Sequence, residues 1–479
     1  MSQQTPEPRD SEPRDSESMD SESNGPAPTV FDKFSVESVY AELLSRAPEN
    51  KMEPRMAPMI RAMEILGEPN KAFPIIHLTG TNGKTSTARM VEGILRAHEL
   101  RTGRYTSPHL SSVTERISID GEPVSDETFV RIWDEIRPFL EIIDGELEAA
   151  GDPRLTYFES ITILAFAVFA DEPVDVAIIE VGLGGITDAT NVGDGQVAVV
   201  TPISLDHTEL LGDTEYDIAL EKSGIIKPGG FLISAAQPQE AAQVLLEKAR
   251  EVGVEFRFEG VEFGVETRTI GVGGQVLSIN GIAGRYEELL LPLHGAHQAQ
   301  NAAVAVAAVE AFIGGGTREL DAAVVREGLR TVTSPGRIEV VRTAPSIIVD
   351  AAHNAAGAKA AAAAVKEAFD FSRLILVVGV LQDKDAGAIL AELHEELGGI
   401  LEDICLTQST SPRAIPAAEL LQDALAAGFA EENVHIAERL DDALEWAVMK
   451  AEENNDLAGG ILITGSITVV GEARTLLGK

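Results

Sequence analysis

Lys84, followed directly by the hydroxyls of Thr85 and Ser86, stands near the end of "HLTGTNGKTS" (77–86), where an apolar run gives way to residues of helical spacing. A lysine and a hydroxyl at the start of a helix suit phosphate. Unpaired N–H groups and the positive end of the helix dipole hold its oxygens, the ammonium reaches the terminal phosphates, and a hydroxyl meets a metal or a phosphate. Gly80, Thr81, Asn82, Gly83, Lys84, Thr85 and Ser86 are therefore candidate nucleotide contacts. The spacing departs from the usual G-x-x-x-x-G-K-[ST] loop, because Leu78 stands where the first glycine belongs. A plain strand-to-helix turn is the competing reading.

These residues need a sheet behind them. Short apolar runs alternate with helix-like stretches, the pattern of a mostly parallel α/β sheet, and the clearest strands are "FPIIHL" (73–78), "VDVAIIEVG" (174–182) and "VAVVTPISL" (197–205). Their continuous apolarity predicts burial on both faces. Glu180 ends the second run and His207 follows the third, the strand ends at which open α/β sheets place their sites. "TSPGR" (333–337) supplies turn residues, after which "SIIVDAAHN", "RLILVVGVL", "DICLTQS" and "GILITGS" alternate with alanine-rich helices. The expected organisation is a tail over 1–30, a P-loop ATPase domain over 31–330, a hinge over 331–336 and a smaller Rossmann-like α/β domain over 337–479.

The 479 residues are 44% hydrophobic, enough for two cores. A formal net charge of -39 argues against duplex nucleic acid or an anionic membrane as partner, so any phosphate site must be local. The acidic opening, "EPRDSEPRDSESMDSESNG", has too little apolar material to order itself and no apolar core of the kind a secretory leader needs, so 1–30 is expected to be disordered. The run "ITILAFAVFA" (161–170) is too short to span a bilayer. The single cysteine, Cys405, reads as a buried apolar side chain and fits a reducing, cytoplasmic compartment.

Together with "GTNGKT", the stretches "YTSPHL" (105–110), "EVGLGG" (180–185), "SLDHTELLG" (204–212), "EKSGIIKPG" (221–229), "HQAQN" (297–301), "PGR" (335–337), "DAAHN" (350–354) and "TGSITVVGEAR" (464–474) resemble, in order and spacing, the folylpolyglutamate synthase and dihydrofolate synthase family of the Mur ligase superfamily, bifunctional bacterial type. The resemblance runs from about Phe34 to Lys479. It implies activation of a carboxylate as an acyl phosphate by ATP, displacement of the phosphate by the amine of L-glutamate, two magnesium ions and a monomeric enzyme acting on dihydropteroate, on reduced folates, or on both.

Residue by residue, the resemblance implies that Ser107, Glu180 and His207 hold one magnesium, and that a carbamylated Lys222 helps to hold the second. Lys84, Lys222 and His207 then form the catalytic set. Asn301 would meet the nucleotide near its base, Arg337 and His353 its phosphates and Asp350 its ribose, while Asp188 and Ala189 would line a pterin pocket. Each has a plainer alternative: a structural histidine for His207, a surface lysine beside Glu221 for Lys222, helix caps for Asn301 and Asp350, a linker charge for Arg337 and a polar turn for "TDATN". Tyr157 and Phe158 read as core. Ser411 and Arg413 in "STSPRA" are weak candidates for glutamate, with an exposed turn the alternative.

Three departures from the family pattern stand out: threonine follows Lys84 where a glycine is usual, Ile186 replaces an arginine in "GLGGITDATN", and "DAAHN" replaces "DGAHN". Two rivals remain at this level. A peptidoglycan-precursor ligase would need a nucleotide-sugar-binding domain before Gly80, for which the chain has no room. A nucleotide-dependent switch would leave Glu180, His207 and Lys222 without a purpose.

Overall fold

The computed structural model describes residues 35–48, 54–453 and 459–479, so the tail reading over 1–30 lies outside the described residues. The expected runs become strands at Ile75–Thr79, Val176–Glu180 and Gly195–Val200, which lie side by side in one eight-stranded sheet. From one edge the order is Glu122–Pro123, Ile117–Ile119, Thr102–Tyr105, Val176–Glu180, Ile75–Thr79, Gly195–Val200, Phe231–Ser234 and Glu255–Phe258. The last six are parallel and the first two are antiparallel additions.

Alternation along Ile75–Thr79 explains why that strand is apolar throughout. Ile76 and Leu78 enter a core with the helices Lys84–Ala97 and Ala296–Gly314, whereas Ile75 enters the opposite core, built largely from the helices Asp126–Ala150 and Tyr157–Asp171. The latter helix starts on a capping box in which Thr156 and Glu159 satisfy each other's backbone N–H groups. It contains Tyr157 and Phe158, 3% and 5% exposed, so the core reading of that pair holds. A three-stranded antiparallel sheet, Gly264–Gly271, Gly274–Asn280 and Arg285–Leu291, packs on the first core; the sequence reading did not separate it from the main sheet.

A six-stranded sheet begins at Glu339, in the order Glu339–Thr343, Ser346–Val349, Gly459–Thr464, Arg373–Val378, Leu401–Leu406 and Val434–Ile436. All but the first pair are parallel. The chain's C-terminal strand thus lies in the middle of this sheet. Cys405 is fully buried there. The fold is the expected one, a large parallel-rich α/β sheet followed by a smaller α/β sheet.

Register aligns the strand ends that matter. Leu78 is paired with Glu180 and Thr79 with Val200, so the loops after all three central strands open at the same carboxyl edge. The carboxyl edge of the second sheet faces them, and the backbone N–H of Ala351 donates to Gly336 in the connecting segment at 2.9 Å.

Candidate active site

Beyond Thr79 the chain turns through Gly80 (φ +143°) and Gly83 (φ +88°) into the helix Lys84–Ala97. Both positions exclude a side chain: a Cβ on Gly80 would lie 2.0 Å from Thr201 Oγ1, and one on Gly83 2.6 Å from Asn301 Oδ1. The N–H groups of Thr81 and Asn82 donate to the carbonyl of Pro202, at 2.9 and 3.3 Å. Thr81 Oγ1 adds a bond to Ser204 O at 3.0 Å. Lys84 curls over this loop and donates to the carbonyls of Gly80 (3.0 Å) and Thr81 (3.1 Å). Ser86 Oγ lies 3.0 Å from Ser334 Oγ, which ties the helix start to the connecting segment.

Glu180 is 1% exposed and accepts from Thr85 Oγ1 through both oxygens, at 2.9 and 3.0 Å. Burial raises its pKa, while Lys84, Thr85, Arg337 and the Ser107 backbone N–H pull the other way. Thr85, Ser107 and Glu180 thereby bring oxygen donors to one place, the donor chemistry that magnesium prefers. Among the described residues no group of three or more His, Cys, Asp or Glu side chains is placed to hold a metal.

His207 adopts a left-handed conformation, φ 52°, before the short helix Thr208–Leu211, and its Nε2 lies 3.0 Å from Lys384 Nζ. Burial and then Lys384 push its pKa down to about 4, so its ring is neutral at physiological pH. Lys222 is 3% exposed and donates to the Gly80 carbonyl at 3.0 Å, which rules out the surface-lysine alternative. Burial and the nearby Lys84 charge bring its pKa down to about 7. Two lysines therefore share one carbonyl of the phosphate loop.

The second sheet supplies the other side. Asn82 and Asn354 exchange amide hydrogen bonds at 3.2 and 3.1 Å, and Asn354 also donates to Asp206 Oδ2 at 3.1 Å. Lys384 donates to Asp206 Oδ1 at 2.7 Å. Burial opposes ionisation of Asp206, but Lys384, His207 and His353 outweigh it and hold the carboxyl below its ordinary range. His353 Nε2 stands 3.7 Å from Asp206 Oδ2, and its Nδ1 faces Ala351 O at 3.0 Å. Asp206, Asn354 and Lys384 were not singled out from sequence. Lys384 follows the strand Arg373–Val378 at a carboxyl end, the one signal that could have found it.

Asn301 lies inside the helix Ala296–Gly314, whose N-cap is Gly295, so the cap alternative fails. Its side chain is beside Gly83 and donates to Gln298 Oε1 at 3.1 Å. Asp350 is 5% exposed, and its carboxylate accepts from the N–H groups of Ile338 (3.0 Å) and Ala352 (2.9 Å). Arg337 lines the cleft between the two sheets, with Thr85 and Ser107.

Asp188 is fully buried. It accepts from the N–H groups of Leu183 and Thr190 and from the Thr190 hydroxyl, at 2.9, 3.0 and 2.5 Å, and Ala189 beside it is 4% exposed. In this conformation the pair orders its own loop and offers no free surface to a ring. Arg413 pairs with Asp383 at 2.6 Å, next to Lys384, and its N–H meets Ser411 Oγ at 3.3 Å.

Two family models match the chain: Mur ligase middle domain over residues 78–309, and Mur ligase, glutamate ligase domain over residues 336–467. The dihydrofolate synthase/folylpolyglutamate synthase of Mycobacterium tuberculosis is 45% identical over 478 residues, covering 95% of this chain and 97% of its own. Among solved structures, the M. tuberculosis folylpolyglutamate synthase complexed with ADP and AMPPCP is 44% identical with a TM-score of 0.87, covering 93% of this chain and 98% of that one. The Escherichia coli FolC structure in complex with DHPP and ADP is 29% identical with a TM-score of 0.79, over 93% of this chain and 98% of that one.

Proposed function

Because the chain belongs to the dihydrofolate synthase/folylpolyglutamate synthase family of Mur ligases, we propose that it joins L-glutamate to dihydropteroate, to the glutamyl chain of reduced folates, or to both, through an acyl phosphate. ATP phosphorylates the acceptor carboxylate, the glutamate amine attacks the acyl carbon, and phosphate leaves, giving an amide, ADP and phosphate. The observation that carries this reading is the meeting of the phosphate loop, through Thr85, with the buried carboxylate of Glu180 at 2.9 Å, under a second sheet bonded to that same loop through Asn82 and Asn354.

In this reading the N–H groups at the start of the helix Lys84–Ala97 hold the phosphates, and Lys84 turns from the Gly80 and Thr81 carbonyls to the terminal phosphate. Gly80 through Ser86 form the cradle, with Asn301 at the base, Asp350 at the ribose, and Arg337 and His353 at the phosphates. Ser107, Glu180 and His207 would hold one magnesium, and Lys222 as its carbamate a second; bound magnesium neutralises phosphate charge as it is transferred. A pKa near 7 leaves a large share of Lys222 as the free amine, the form that attacks carbon dioxide. His207 is neutral and can offer a lone pair. Asp188 and Ala189 would shape the pterin end by fixing the loop from Leu183.

The same reading takes 331–336 as the hinge between a 31–330 ATPase domain and a 337–479 domain, and the enzyme as a cytoplasmic monomer working on small molecules, with neither nucleic acid nor membrane as partner. No helix among the described residues is long and apolar enough to cross a membrane. The test is incubation of the purified chain with magnesium, ATP and L-glutamate, with dihydropteroate in one reaction and tetrahydrofolate in another, and mass spectrometry of the products. A glutamyl adduct from both acceptors supports a bifunctional enzyme and an adduct from one selects the branch. No adduct from either, in protein that binds ATP, overturns the proposal.

A further inference from the structure

We infer that Arg89 is a substrate-recognition residue that binds a carboxylate of a glutamate unit in the cleft between the two sheets, an inference that rests on the function proposed above. Arg89 lies on the helix Lys84–Ala97 four residues after Thr85, so the two share a face, and both line the cleft with Ser107, Leu110 and Arg337.

Three enclosed arginines elsewhere in this acidic chain are paired. Arg46 meets Asp144 at 2.9 Å, Arg55 meets Glu159 at 2.9 Å and Arg104 meets Glu92 at 2.7 Å. Arg89 is half-buried, and it has no hydrogen bond or ion pair to any described residue. Burial lowers its pKa to about 10, with Arg104 adding to the effect, while Glu92, Glu115 and Glu180 act against it. A half-buried guanidinium lining a cleft, with its N–H donors unpaired, is free to bind an anion there.

Position and shape select the anion. The Cα of Arg89 is set back about 7.5 Å along the helix from Lys84, whose loop is the place for the phosphates. The groups around the two cleft arginines also differ. Arg337 acts on Lys84, Glu180 and Asp350, at the nucleotide side, whereas Arg89 is influenced by Arg104, Glu92 and Glu115, sharing only Glu180 with that group. A planar guanidinium fork matches a planar carboxylate through two parallel N–H···O bonds. Two carboxylates fit this chemistry, one on the incoming L-glutamate and the α-carboxylate of a folate's glutamyl tail. Dihydropteroate has no such tail, and this separates the two sources.

The experiment compares the unsubstituted chain with Arg89→Gln and Arg89→Lys, using magnesium and ATP, with L-glutamate varied against dihydropteroate and against tetrahydrofolate. A rise of about tenfold to a hundredfold in KM for L-glutamate with both acceptors assigns the subsite to the incoming amino acid. The same rise confined to the KM for tetrahydrofolate assigns it to the tail. In either case ATP still raises the Tm of the variants as it does for the unsubstituted chain, and lysine recovers only part of the loss. Unchanged KM values for both carboxylate substrates overturn the inference, as does a defect in ATP binding alone. An unsubstituted chain that forms no glutamyl product overturns the functional reading, and this inference with it; a defect confined to the variants does not touch that reading.

Discussion

Lys384 Nζ lies 2.7 Å from Asp206 Oδ1, and the two side chains, 7% and 10% exposed, come from opposite sheets. This ion pair, with the Asn82 and Asn354 exchange beside it, bonds the second sheet to the loops that carry His207 and the phosphate cradle. Lys384→Met should leave Asp206 buried and uncompensated, weakening the closed arrangement by about 3 kcal/mol. The expected outcome is a larger radius of gyration in solution scattering and a turnover at least about tenfold lower. Unchanged scattering and turnover together would show the pair to be dispensable.

Glu180→Gln keeps the side-chain shape and a partner for Thr85 while removing a charge that burial disfavours. Its Tm should therefore match or exceed that of the unsubstituted chain. Turnover should fall on the order of a hundredfold or more, because the lost charge is the one proposed to hold the metal. Calorimetry beside a product assay checks both halves, and a folded variant with full turnover refutes the role given to Glu180.

Gly80→Ala places a methyl group 2.0 Å from Thr201 Oγ1 and 2.8 Å from the Thr201 carbonyl, at a φ of +143°. The loop must move, and with it the acceptor carbonyl shared by Lys84 and Lys222. ATP affinity, measured by titration calorimetry, should drop about tenfold or more. Undiminished affinity would mean that the loop absorbs the methyl group without losing its shape.

His77 is fully buried, with Nε2 2.9 Å from Thr190 Oγ1 and no partner on Nδ1. Burial, aided by Lys227, pushes its pKa down to about 3, against about 6.5 in an unfolded chain. Between those values the unfolded state takes up a proton that the folded state refuses. The stability this group confers is thus complete above about pH 6.5 and is lost as the pH falls towards 3. Denaturant titrations of His77→Leu should show an acid limb shallower by up to about 1.4 kcal/mol per pH unit. Parallel limbs would place the acid sensitivity at half-buried histidines, such as His109 and His297, whose pKa values desolvation also lowers.

Much of the molecule was legible in its sequence for local reasons. The unbroken apolarity of the strands at 75–79 and 176–180 required burial on both faces, which only a covered, largely parallel sheet provides. The phosphate loop could be found because glycines, a lysine and hydroxyls at a strand-to-helix boundary form a site from consecutive residues. Cys405, Tyr157 and Phe158 followed from their side-chain chemistry alone.

What the sequence could not supply was proximity between distant residues. Nothing local says that Lys384 meets Asp206 or that Lys222 reaches over to the Gly80 carbonyl. The environment of Arg89 is equally a product of folding, since an arginine on an amphipathic helix reads as a solvated charge until the second sheet and the Ser107 loop close a cleft around it. Sequence therefore determined the strands, the helix starts and the chemical types available at the site. Tertiary packing decided which of those groups are desolvated and which are paired, because burial and partner distance depend on contacts across more than a hundred residues of chain.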